Sequence, residues 1–152
     1  MDADNPYQTP NAELSTPLST DAGQRLYSLA AVGWATVFGS PLAGAYIIAQ
    51  NLRILGRGTE VRKVWLTGVG VLVALLVLAF ILPENIPAAA FTAAQVVGMY
   101  QYGKVTWAEQ VAGHAQRGGV FYSNWRAVGI GLLILLALLV LVVPLVLLLD
   151  VA

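Results

Sequence analysis

Residues 37–51 read VFGSPLAGAYIIAQN and set a proline among small residues inside an uncharged run. Two readings compete: a loop that cradles a ligand, or a bent helix built to pack against a neighbour. The surroundings favour the helix. The uncharged run extends over 26–49, 24 residues, and a helix that crosses a bilayer needs roughly 20 predominantly apolar residues. Within it Ala31, Ala35, Gly39 and Ala43 recur every fourth residue, and Ser40 and Gly44 add a pair on an adjoining face. In lipid, helices gain little from the hydrophobic effect on meeting, so small residues that let backbones approach supply the contact. Pro41 has no N–H and is expected to kink the helix and free the Val37 carbonyl.

Composition points the same way. Of 152 residues, 58% are hydrophobic and 11% charged, against roughly 25% charged in soluble proteins. The formal net charge is zero, which leaves no global field to attract nucleic acid. The chain has no cysteine, which excludes disulfides, thiolate metal sites and palmitoylation. The first 22 residues carry Asp2, Asp4, Glu13 and Asp21 and no Lys or Arg. They lack the basic start of a secretory signal, so the first apolar run is expected to stay as an anchor. With Pro6, Pro10 and Pro17 and few large apolar residues, 1–22 reads as a flexible polar tail.

Three more apolar segments follow, at 64–82, 86–102 and 127–149, the third of the four interrupted by Gln95 and Gln101. The expected fold is therefore all-α and integral to the membrane: a bundle of four transmembrane helices over 23–152, at about 26–52, 62–82, 86–103 and 124–149. Basic residues favour the cytoplasmic side of short loops. If all four segments cross, Arg53, Arg57, Arg62, Lys63, Lys104, Arg117 and Arg126 share that side and only Arg25 lies opposite. Both termini then fall outside the cytoplasm.

The connections carry recognisable signals. In LPENIPA, Asn85 is placed to cap helix three, with Pro87 in its first turn. In LGRGTEVRK, Gly56 and Gly58 are placed to end helix one, and Arg53 and Arg57, four apart, share a face suited to anionic head groups. KVTWAEQVAGHAQR is expected to form a short interfacial helix with Trp107, Val111 and Ala115 on its apolar side. Ser123 or Asn124 is placed to cap helix four. Trp65, Tyr100, Tyr102, Trp107, Tyr122 and Trp125 fall near the inner boundary, as an aromatic belt requires.

Helix three carries a row of its own, Ala90, Ala94 and Gly98, so helices one and three are expected to pack through these rows. Gln95 would then face protein, and Gln95 or Ser40 would meet the Val37 carbonyl. A broken helix can also line a transport site. That use normally shows itself through ionisable groups at membrane depth, and the four apolar segments hold none. His114 stands alone, five residues from Glu109, so no metal site is expected. Ser40 has no base near it in sequence, and Gly118-Gly119 lacks the Lys of a phosphate loop. No catalytic residue, metal or cofactor is expected, and the chain does not read as an enzyme.

FGSPLAGAYIIAQNLRILGRG with the later SNWRAVGIGLL resembles a loose group of small uncharacterised bacterial multi-pass membrane proteins with a Gly-Ser-Pro-Leu-Ala-Gly first helix. The NPYQTP opening is similar to the starts of many such chains. The resemblance covers about a third of the chain and implies a protein of the bacterial inner membrane, with no site residues to carry over. The expected role is an accessory or scaffold subunit in the lipid bilayer, packing with itself as a homo-oligomer or with another membrane protein. The alternative is a small transporter or channel for a neutral or hydrophobic solute.

Overall fold

The computed structural model describes residues 23–83 and 85–150; the expected polar tail, 1–22, lies outside them. The elements are α1 (Leu29–Ile54), a 3-10 turn (Gly58–Glu60), α2 (Val61–Ile81), α3 (Ala88–Gln116) and α4 (Asn124–Asp150). By length and composition, Leu29–Ile54, Gly58–Ile81 and Asn124–Pro144 are each sufficient to cross a membrane. Segment 26–49 begins its helix later than expected, because Leu26 and Tyr27 are extended: Leu26 forms a parallel bridge to Phe121. Ser28 then caps α1, its Oγ accepting the Ala31 N–H at 3.2 Å.

α1 is not one rod. Gly39 (φ −133°, ψ 16°) and Ser40 (φ 74°, ψ 174°) leave helical geometry. A straight helix of 26 residues would run about 39 Å. Yet the Tyr27 N–H donates to Asn51 Oδ1 at 2.8 Å, and Asn51 Nδ2 donates to the Tyr27 carbonyl at 2.8 Å. Residues at the two ends of α1 therefore touch, and the chain reverses at Gly39–Ser40. α1 is a helical hairpin with arms 29–38 and 41–54, about 15 and 21 Å long. Side chains between the arms agree: a Cβ on Gly44 would strike Thr36 Oγ1, and Leu29 and Ile48 both lie 3.6 Å from a Cβ built on Gly103.

This corrects two expectations. Pro41 does not kink a continuous helix; it opens the second arm, where its missing N–H costs nothing, and Ser40 Oγ accepts the Leu42 N–H at 3.4 Å. Nor does helix one carry the chain from one side to the other. Its start and its end lie at the same end of the molecule, which will be called the base.

Two Schellman caps mark the base. Gly56 (φ 72°) ends α1, with Gly56 N–H to the Arg53 carbonyl and Arg57 N–H to the Leu52 carbonyl; Gly118 (φ 72°) ends α3, with Gly118 N–H to Ala115 and Gly119 N–H to His114. Helix three does not stop at 103. It continues to Gln116 through a break at Trp107 (φ −153°, ψ 16°), so the expected interfacial helix is the second limb of α3. α3 begins after Pro87 rather than at an Asn85 cap. Ser123 caps α4, its Oγ accepting the Trp125 N–H at 3.3 Å.

α1 is the hub. α2, α3 and α4 all pack on it, α2 and α3 barely meet, and among the described residues α4 packs on no other helix. The core is accordingly α1-centred: Val32, Ala35, Ile47, Ile48 and Leu52, joined by Leu26, Val64, Met99 and Trp107. α4 leaves the base and runs for 27 residues, about 40 Å. Its far end and Gly23 therefore lie at opposite ends of the described structure; the expectation for the two termini themselves falls on residues outside it.

Candidate functional site

The expected site residues of α1 lie along the hairpin and at its turn, but not as one side of a pairing of two rows. Ala31, Ala35, Gly39, Pro41, Ala43 and Gly44 are all buried. Each small residue meets a different neighbour. A Cβ on Gly39 would run into the Gly131 carbonyl of α4, and one on Gly131 would stand 2.8 Å from the Ala35 carbonyl. Gly44 lies against Met99 of α3. Gly68 of α2 faces Ala45, a Cβ there lying 2.6 Å from that side chain and 3.3 Å from the Pro41 carbonyl.

On α3 the expected row is not the contact. Ala90, Ala94 and Gly98 are exposed, and nothing lies within 4 Å of a Cβ built on Gly98. The face on α1 is Val96, Met99, Gly103 and Trp107 instead. Small residues at fourfold spacing suit a lipid-facing flank as well as an interface, so the row had no directional content. Gln95 is half-buried on α3. The hydrogen bonds made at the turn are Leu42 N–H to Ser40 and Thr36 Oγ1 to the Val32 carbonyl at 2.8 Å, and Gln95 is party to neither.

The turn lies partway along its neighbours. Gly68 is seven residues into α2 and Gly131 seven residues into α4, each about 10 Å from the base. Ser40 holds a φ/ψ region that is essentially reserved for glycine, at a cost of about 1–3 kcal/mol. Beside the turn, Trp34, Phe38, Asn124, Trp125 and Val128 line a groove of about 290 Å³ between α1 and α4.

At the base, polar groups that sequence reasoning left in solvent are tied into the fold. His114 is buried, with Nε2 3.2 Å from the Val120 carbonyl and its ring edge-on to Phe121 at 5.2 Å. Gly119 is glycine because a Cβ would enter that ring. Trp107, expected in the aromatic belt, is fully buried, and its Nε1–H has no partner among the described residues. Arg57 does not join Arg53 on a shared face. It grips Glu60 through Nε and Nη2 at 2.6 and 2.7 Å, and its Nη1 donates to the Thr106 carbonyl at 2.7 Å, beside the break in α3. The hydrogen bond from Arg57 holds the Glu60 carboxyl below its ordinary range. Tyr27 packs against Tyr122 with ring centres 4.6 Å apart and the planes tilted by 35°, and burial pushes its hydroxyl up against the opposing pull of Arg126.

Among the described residues no three His, Cys, Asp or Glu side chains gather to hold a metal ion. Comparison with family models, curated proteins and solved structures finds no match to this chain.

Proposed function

We propose that this chain is an integral protein of the bacterial inner membrane, with three crossing helices and one hairpin that enters and leaves on the cytoplasmic side. One observation supports this most strongly. The hairpin returns 23–27 to the base, so Arg25 joins Arg53, Arg57, Arg62, Lys63, Lys104, Arg117 and Arg126 at a single end. The exception left by a crossing first helix disappears, and the bias of basic residues to one side becomes complete. α2, the limb of α3 before Trp107, and α4 do the crossing. Gly23 lies on the cytoplasmic side, and the end of α4 lies on the other.

The role is that of an accessory or scaffold subunit that packs with itself or with other membrane proteins. Past the hairpin turn, α2, α3 and α4 have no common core. Phe80 is 91% exposed, Leu141 70% and Leu148 70%, an apolar area that water would not tolerate and that lipid or other helices would cover. Cysteine labelling tests the topology without interference, since the chain has no cysteine. Gln24→Cys and Gly58→Cys should label from one face of sealed vesicles and Leu82→Cys from the other. In-membrane crosslinking with co-purification tests the role; a lone monomer with a turnover activity would contradict it.

A second reading, a transporter or channel for a neutral or hydrophobic solute, draws on the strained Ser40 at half depth. Flux through proteoliposomes would have to change in Ser40→Gly or Pro41→Ala; unchanged flux rejects this site.

A further inference from the structure

The hairpin brings together two arginines that the sequence separates by 28 residues. Arg25 and Arg53 line one cavity of about 470 Å³ at the base, with Gly23, Gln24, Ile54 and Tyr122 as its other walls. Both arginines are exposed, and the described lining residues include no carboxylate. Arg57, by contrast, is committed to Glu60 and to the Thr106 carbonyl. The Tyr122 wall is packed against Tyr27 and against the Arg126 guanidinium, which lies 4.3 Å from its ring centre. The backbone carbonyls of Leu52 and Arg53 are occupied by the cap of α1, so they do not turn the cavity towards cations.

We propose that this cavity holds the phosphate of an anionic lipid head group. Guanidinium forks match phosphate oxygens two by two, and two of them around one cavity, with no carboxylate among its described walls, suit an anion. Lipid is the source because the lining sets the two guanidinium groups beside an apolar side chain, Ile54, and the amphipathic Tyr122 ring. The inference rests on the membrane reading above. Resistance of each variant to alkaline carbonate extraction scores that reading separately.

The full-length protein in detergent is titrated with short-chain phosphatidylglycerol or phosphatidylcholine, and bound lipid is counted by native mass spectrometry. Phosphatidylglycerol should bind in preference. Arg25→Gln with Arg53→Gln should weaken it roughly tenfold or more, while Arg62→Gln with Lys63→Gln, which removes the same charge outside the cavity, should change it by less than about threefold. Equal losses in the two double variants would reduce the cavity to a general positive end and overturn the proposal. Equal binding of phosphatidylcholine would overturn it too. Displacement by inorganic phosphate at matching concentration would make free phosphate, not lipid, the occupant.

Discussion

Ser40 holds a conformation that an L-residue adopts at a cost, and what it obtains in return is a reversal of the chain within two residues. Replacing it by glycine removes the strain of about 1–3 kcal/mol and loses a cap that glycine nearly matches. Ser40→Gly is therefore expected to stabilise the fold by about 1 kcal/mol, read as a higher unfolding midpoint in detergent. The backbone contact beside it should behave in the opposite way. Gly131→Ala places a methyl against the Ala35 carbonyl and should cost about 2 kcal/mol, within the usual range for overpacking. Gly98→Ala meets nothing and should be neutral or slightly stabilising through helix propensity. Equal effects of the two would restore the row on α3 as an interface. Asn51 is the latch. Asn51→Ala leaves the buried N–H and carbonyl of Tyr27 without partners, at about 1–3 kcal/mol each. A loss of about 3 kcal/mol should appear in the unfolding midpoint, together with faster proteolysis near residue 25.

At the scale of elements, helix identity was legible and helix continuity was not. Residues 26–49 have the composition of a crossing helix because both arms of the hairpin are as apolar as a full span. The distinguishing signal was local. Gly39-Ser40-Pro41 is a breaker, an N-cap residue and a first-turn proline, which is how a helix starts rather than how one bends. Arg25, the odd cation in a four-crossing arrangement, pointed the same way. The caps at Gly56 and Ser123 could be read directly because they depend on one residue's own conformation or hydroxyl. The burial of Trp107 and His114 could not, since each is enclosed by segments distant in sequence. Arg57 and Glu60 make a further element-scale prediction. Glu60 ionises more readily in the folded protein, so its contribution is present above the ordinary carboxylate range. That contribution is lost as pH falls through the lower folded value. Because the pair is about a third exposed, it amounts to less than about 1 kcal/mol. Glu60→Gln should lower the unfolding midpoint slightly at pH 7, and the difference should vanish as acid protonates the folded carboxyl.

At the scale of the molecule, one hub helix pair organises three longer helices that meet it and little else. Such an arrangement buries a compact core at the base and leaves the remaining lengths of α2, α3 and α4 to their surroundings. It also collects the positive charge at the end where the chain turns at Gly56 and Gly118. The reversal at Gly39–Ser40 determines the charge distribution and the Arg25–Arg53 cavity together, and the proposed sidedness depends on it, so it is the claim to test first. Spin labels on Gln24→Cys and Arg53→Cys, in the otherwise cysteine-free chain reconstituted in nanodiscs, report the distance between the two ends of α1. The hairpin requires strong dipolar coupling, at less than half of the roughly 39 Å that an unbroken helix would impose; a separation near that full length would contradict it.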